Sequence, residues 1–284
     1  MMTTKEAIFR LRSELSVIYD AREVESMTRI IFEDVLRWKP VDIVMRENEQ
    51  LPEFFDNRLN DIIARLKLQE PLQYILGEAR FHGHSFLVTR ATLIPRPETE
   101  QLVDMIIDQN QDNDLHVLDI GTGTGCIAIS LARALKFAQV TATDISKGAL
   151  AVAQQNAKNL KTRVHFVEEN ILTCRPPFEA WDIIVSNPPY ITESEKASME
   201  HNVLDYEPHE ALFVPDDDPL RFYRPIAAYA SRALKKGGRL YLEINRAKGQ
   251  QVSETLAASG LRNVQLYNDF NGNCRFVTAI KIND

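Results

Sequence analysis

From residue 116 onward, short apolar runs alternate with stretches of helical periodicity, and this constrains the fold more than any other feature. "HVLDIG", "QVTATDI", "RVHFVEEN", "WDIIVSN" and "GGRLYLEIN" each read as a strand. "CIAISLARALK", "KGALAVAQQNAKNL", "PLRFYRPIAAYASRALK" and "AKGQQVSETLAAS" read as the helices among and after them. A parallel strand pair needs a long crossover, and the crossover helices cover the sheet, so this alternation predicts a doubly wound, mostly parallel α/β sheet with both faces buried. "RNVQLYND" and "RFVTAIKI" add two last strands, for seven in all. They join around Asn271-Gly272, a pair favoured in hairpin turns, which makes at least one strand near an edge antiparallel.

The chain before this region has another character. Its first glycine is Gly77, and the preceding stretch is rich in Glu, Arg, Leu and Ile, as a helical segment is. Ile8, Leu11, Leu15 and Ile18 fall at helical spacing, with Thr3 and Glu6 placed to form a capping box. "EVESMTRIIFEDVLRW" and "FFDNRLNDIIARLKL" repeat the pattern and stop before Pro40 and Pro71. The expected organisation is a helical bundle over 1–76, a linking β-hairpin over 77–94 where "ARFHGHSFLVTRATLI" alternates, and an α/β domain over 95–284, opening with a helix after "IPRP".

Bulk properties narrow the function. Of the 284 residues 44% are apolar and 26% charged, as in a soluble globular protein. The net charge of −7 argues against a protein that grips phosphates over a long footprint. No apolar run approaches the ~20 residues that cross a bilayer, and "MMTTKEAIFRLRSEL" threads charges through its apolar positions, unlike a signal peptide. Cys126, Cys174 and Cys274 lie far apart without metal-ligand spacing, which suits buried thiols in a reducing cytoplasm. His82 and His84 lack nearby cysteine or carboxylate partners and read as hairpin histidines, so no metal is expected.

Two constellations carry chemistry. In "LDIGTGTGCIAIS" a strand, three alternating glycines and a helix follow one another, so the loop can pass close beneath a ligand. The spacing Gly121, Gly123, Gly125 breaks the dinucleotide fingerprint, because position 126 is Cys. The next strand ends in Asp144, where an acidic residue binds ribose hydroxyls. An adenosine-type ligand without a pyrophosphate fits both, and S-adenosylmethionine has that profile. Asp119, before the loop, either orients it or meets a cationic group.

The second constellation is "SNPPY", Ser186 to Tyr190, at the end of the fourth strand. Pro188 and Pro189 donate no hydrogen bond, and Asn187 carries an acceptor beside two donors. The Asn187 side-chain oxygen and the Pro188 carbonyl can accept both hydrogens of a planar –NH2 group, with Tyr190 packed on it. Adenine N6, cytosine N4 and glutamine N5 all suit such a clamp. A non-catalytic ligand-binding protein on the same fold is a further alternative.

The ordered set resembles the amino-group branch of the class I methyltransferases. "EPLQYILGEARFHGHSFLVTRATLIPRPETE", "LDIGTGTGCIAISLA", "SNPPYI" and "YEPHEAL" together resemble the bacterial release-factor glutamine methyltransferases (the HemK/PrmC type). That resemblance implies the substrate: the glutamine of a Gly-Gly-Gln loop on class 1 peptide chain release factors, methylated in the cytoplasm by a monomer without nucleic acid or membrane. It implies cofactor binding by Gly121, Thr122, Gly123, Thr124, Gly125, Asp144, Asn187 and Phe86. It places glutamine binding at Asn187, Pro188, Pro189 and Tyr190, with Asn187, Pro188 and Tyr190 catalytic. Arg96 and Glu98 match "RPETE" near the site, or pair locally to shape a loop. Where some members carry an acidic residue and then tryptophan against adenine, this chain has Asn170 and Ile171 for the amino group and the ring face. The rivals are a nucleic-acid amino methyltransferase and a glutamine methyltransferase of a ribosomal protein.

Overall fold

The structure is a computed structural model that describes residues 2–282. It divides into two compact units, Met1–Gly77 with His201–Tyr206, and Glu78–Glu200 with Glu207–Asp284.

The first unit is helical: α1 (Thr4–Leu15), α2 (Ala21–Leu36), α3 (Pro40–Met45), α4 (Glu53–Leu66) and α5 (Leu72–Leu76). The capping box forms. Thr3 Oγ1 accepts from the Glu6 amide at 3.3 Å, and the Glu6 carboxylate accepts from the Thr3 amide at 2.7 Å. Asp20 caps α2 by accepting from the amides of Arg22 and Glu23. Leu11, Leu15, Ile31, Phe32, Phe55, Leu59, Ile62 and Leu66 meet in a core without solvent exposure. Each contributes about 1.5–3 kcal/mol by burial. Ile18 lies beyond the end of α1 and is 39% exposed, so the sequence periodicity overran the helix there. The later segment His201–Tyr206 adds the Tyr206 hydroxyl, which donates to the Leu68 carbonyl at 2.8 Å. α3 buries none of its residues; Val41, Val44 and Met45, which share one face, are exposed by 60%, 73% and 79%.

The second unit opens with an antiparallel hairpin of β1 (Glu78–Phe81) and β2 (His84–Leu87), turning at His82 and Gly83, both at positive φ. His82 pairs with Asp104 at 3.0 Å, and His84 Nε2 accepts from Arg133. Then follow α6 (Pro97–Gln109), β3 (His116–Ile120), α7 (Cys126–Ala134), β4 (Gln139–Asp144), α8 (Lys147–Asn159), β5 (His165–Glu168), β6 (Trp181–Ser186) and β7 (Ile191–Thr192). After α9 (His201–Leu204), which groups with the first unit, come β8 (Phe213–Val214), α10 (Tyr223–Ala233), β9 (Leu234–Glu243), α11 (Gly249–Ala258), β10 (Arg262–Asn268) and β11 (Cys274–Ile280).

Seven strands form one sheet in the order β10-β11-β9-β6-β3-β4-β5. β9, β6, β3, β4 and β5 run parallel, and β11 is antiparallel to both neighbours. Successive residues enter opposite cores. Val117, Ile183 and Val185 pack with α6 and α7, whereas Leu118, Ile184 and Leu240 pack with α10 and α11. That two-sided burial explains why these strands read as unbroken apolar runs. The chain leaves β3 for β4 on one side and later returns to β6 on the other. This is a topological switch point, and a crevice opens at the carboxyl ends of such strands. The β10–β11 connection is not a two-residue turn. It spans residues 269–273, with Asp269 accepting from the amides of Asn271 and Asn273. Only Gly272 there takes positive φ, so the primed turn suggested by Asn271-Gly272 does not form.

Candidate active site

A cavity of about 260 Å³ lies at the carboxyl ends of β3, β4, β5 and β6. Gly121, Thr122, Gly123, Thr124, Asp144, Asn170, Ile171, Asn187, Pro188 and Pro189 all line it. The loops that carry these residues are far apart in sequence and are brought together by the register of parallel strands.

The glycine loop bends back over β4. Gly121 and Thr122 donate their amides to the Thr143 carbonyl at 2.8 and 2.9 Å, and Gly123 donates to Asp144 Oδ2 at 2.9 Å. Gly125 donates to the Thr122 carbonyl. These amides are engaged within the protein, so the loop is not a nest for a phosphate. Gly121 and Gly123 sit at φ of +73° and +57°, and a Cβ on either would meet no protein atom within 4 Å. A Cβ there would enter the space of the cavity wall. S-adenosylmethionine fits such a site, having ribose hydroxyls, an adenine amino group and a sulfonium-bearing arm but no phosphate. Asp144 also accepts from the Ser146 amide at 2.9 Å, which fixes its carboxylate at the strand end with lone pairs to offer ribose hydroxyls. Burial raises its pKa, against the pull of these backbone amides.

Gly125, Phe86 and Tyr190 stand off the lining. Gly125 precedes α7, and its Cβ would press Ala153 Cβ and Ile129 Cδ1 at 3.1 Å, so the missing side chain lets α7 and α8 approach. Phe86 is fully buried, edge-on to Phe81 at 6.0 Å, in the core beneath the loop. Asn156 of α8 ties these parts together: it accepts from the Leu87 amide and donates to the carbonyls of Leu87 and Thr124. The Tyr190 hydroxyl donates to Glu243 Oε1 at 3.0 Å, behind the wall. Asn170 lines the cavity, and its Oδ1 accepts from the Leu172 amide at 2.9 Å.

Of the residues around this site, the sequence singles out Asp119, Arg96 and Glu98, whereas it passes over Thr99 and Glu243. Asp119 lies fully buried under the loop, accepts from the Thr122 hydroxyl at 2.6 Å, and so orients the loop. Arg96 lines the cavity, but its ion-pair partner is the buried Glu207 of "YEPHEAL" rather than Glu98. Glu98 faces Asn271 instead. Thr99, in the first turn of α6, donates to Glu243 Oε2 at 2.7 Å and accepts from Asn187 Nδ2 at 3.4 Å. Glu243 ends β9 as Asp144 ends β4. A lone carboxylate closing an apolar run, "YLE", was the available signal.

Comparisons with known proteins identify the family and the fold. The family described as PrmC N-terminal domain matches residues 6–77, and that described as Methyltransferase small domain matches residues 98–207. A protein of Bacteroides thetaiotaomicron named "Release factor glutamine methyltransferase" is 46% identical over 95% of this chain and 97% of its own. One of the same name from Flavobacterium psychrophilum is 46% identical over 93% and 94%, and one from Leptospira interrogans 34% identical over 97% and 99%. A solved methyltransferase from Pyrococcus furiosus shares the fold, with a TM-score of 0.52 over 80% of this chain and all of that one, at 17% identity.

Proposed function

The chain belongs to the release factor glutamine methyltransferases, and from that premise we propose that it methylates the side-chain amide nitrogen of a release-factor glutamine, that of a Gly-Gly-Gln loop. One observation supports the reading above others: an amide acceptor and a proline carbonyl share a cavity with a glycine loop unsuited to phosphate and with Asp144. When bound, S-adenosylmethionine supplies an electrophilic methyl group on a sulfonium centre. Gly121, Thr122, Gly123 and Thr124 border it, Asp144 accepts from its ribose hydroxyls, and Asn170 and Ile171 receive the adenine. Asn187 Oδ1 and the Pro188 carbonyl accept the two N–H hydrogens of the substrate carboxamide. A carboxamide nitrogen is a poor nucleophile because its lone pair is delocalised. Fixing its rotation and drawing off the developing positive charge lowers the barrier by orientation and electrostatics. As N–CH3 forms and S–CH3 breaks, the bonding pair stays on sulfur, and the methylated amide releases one N–H proton to water. Pro189 flanks the glutamine stem, and Tyr190 braces the loop from behind through Glu243.

The test offers labelled S-adenosylmethionine with release factor, total tRNA and DNA separately. Label is expected in release factor alone; label in nucleic acid alone overturns the reading. Asp144→Ala is expected to weaken S-adenosylhomocysteine about 10-fold in calorimetry, the size of one lost hydrogen-bonding partner, with binding unaffected by EDTA. Preference for NAD in that assay rules out the cofactor assignment.

We assign recognition of the intact release factor to the helical unit. A glycine-rich loop presents little surface and loses much entropy on ordering, so further contact area is needed. The exposed Val41, Val44 and Met45 of α3 offer it, and the mixed charge of the unit suits a protein partner. Replacing all three by Ser is expected to raise KM for intact release factor several-fold, as loss of ordinary interface positions does, with turnover of a short Gly-Gly-Gln peptide unchanged. An unchanged KM would return this helix to a structural role. Among the described residues no helix is long and apolar enough to cross a membrane. In this reading the enzyme acts in the cytoplasm as a monomer, which light scattering at micromolar concentration checks.

A further inference from the structure

We infer that Glu243 is a positioning residue that sets, through the hydroxyl of Thr99, which way the Asn187 carboxamide faces. The inference rests on the acceptor role proposed for Asn187. An asparagine side chain is nearly symmetric in shape but not in chemistry, since one end accepts and the other donates. A substrate –NH2 brings only donors. Were Asn187 turned over, Nδ2 would face them, and the clamp would lose its acceptor and gain a repulsion.

The structure contains a chain of hydrogen bonds that decides the orientation. Glu243 is 2% exposed and takes one hydroxyl on each oxygen, Thr99 on Oε2 at 2.7 Å and Tyr190 on Oε1 at 3.0 Å. Burial raises its pKa, against the pull of Thr99, Tyr190 and the charge of Arg275. With a hydroxyl donated to each oxygen, both ends of the carboxyl group act as acceptors. Thr99 has a single hydroxyl proton, and Glu243 holds it. Thr99 Oγ1 can therefore only accept from Asn187, at 3.4 Å. Of the two ends of the Asn187 amide only Nδ2 can supply that hydrogen, so Oδ1 is left for the cavity that Asn187 lines. The direction of each bond follows from the one before it, starting from the carboxylate. Arg275 anchors the far side, donating to Asp269 at 3.1 Å and to the Tyr190 hydroxyl at 3.4 Å.

The test uses the full-length enzyme and compares single-turnover methylation of release factor at saturating cofactor with S-adenosylhomocysteine affinity. Thr99→Val deletes the hydroxyl at nearly constant volume and is expected to slow the rate ~10-fold or more, as loss of a hydrogen bond to a charged group does. Thr99→Ser keeps the hydroxyl and is expected to stay within about twofold of wild type. Glu243→Gln, whose amide nitrogen turns one hydroxyl around, is expected to fall with Thr99→Val, and the double variant to be no slower than the worse single. Cofactor affinity is expected to hold within about twofold in all of them, since none loses a hydrogen bond to the cofactor. A purely structural role moves affinity and rate together and gives no rescue by Ser. Should Glu243→Gln not fold, the Thr99 pair decides. Thr99→Val at the wild-type rate beside an inactive Asn187→Ala overturns the positioning role alone. An active Asn187→Ala overturns the acceptor reading on which it stands.

Discussion

Asn187→Ala is expected to lower the methylation rate ~10²-fold or more, the size of effect seen when one preorganised polar contact to a transition state is removed. S-adenosylhomocysteine affinity is expected to change little. The acceptor acts where positive charge develops on the substrate nitrogen, so its removal hurts the transition state more than the ground state. Ala also frees the Thr99 hydroxyl from its 3.4 Å partner; both residues line the cavity, but that bond holds neither the glycine loop nor Asp144. Single-turnover rates with release factor and calorimetry with the cofactor product separate the two quantities. Near-normal turnover removes Asn187 from the catalytic role.

Asp119→Asn is expected to change how stability depends on pH. Burial pushes the Asp119 carboxyl up to about 7, although the Thr122 hydroxyl and a neighbouring backbone amide oppose the shift. In the unfolded chain the same group releases its proton near 4. The folded protein therefore holds the extra proton between these values, and stability falls as pH rises from about 4 through about 7. Between pH 5 and pH 8 the loss is on the order of 2 kcal/mol, taking about 1.4 kcal/mol per pKa unit. Asparagine cannot ionise and still accepts from Thr122, so this component disappears. Urea unfolding of both proteins without cofactor at the two pH values measures it. Parallel losses in variant and wild type contradict the buried carboxyl as the source.

Much of the architecture is written in local periodicity. Consecutive residues such as Val117 and Leu118, or Ile183 and Ile184, are buried on opposite faces, and a run of that kind announces a covered strand. The glycine loop, Asp144 and "NPPY" each end a strand, so their convergence follows once the sheet is parallel. The contacts behind the wall were not readable in this way. Thr99 lies in a helix-opening segment where its neighbours Pro97 and Glu98 explain themselves by capping and charge. Glu243 becomes informative only after β9 is placed beside β6. Glu207 reads as one more acidic residue until Arg96 and the Ile94 amide are found on its carboxylate. The β10–β11 loop departed from its turn signal because the Asp269 side chain organises it.

The register of the central strands also says when the site comes into being. Val117 pairs with Ile183, and Ile184 with Leu240. Closing such long loops is slow, because chain entropy is lost before any contact compensates. On a ribosome, a nascent chain released as far as "SNPPY" holds the glycine loop, Asp144 and Asn187. It lacks β9, and with it the neighbour that completes β6 and the carboxylate that holds Thr99. Competence therefore waits until the strand ending in Glu243 has been made and can pair with β6.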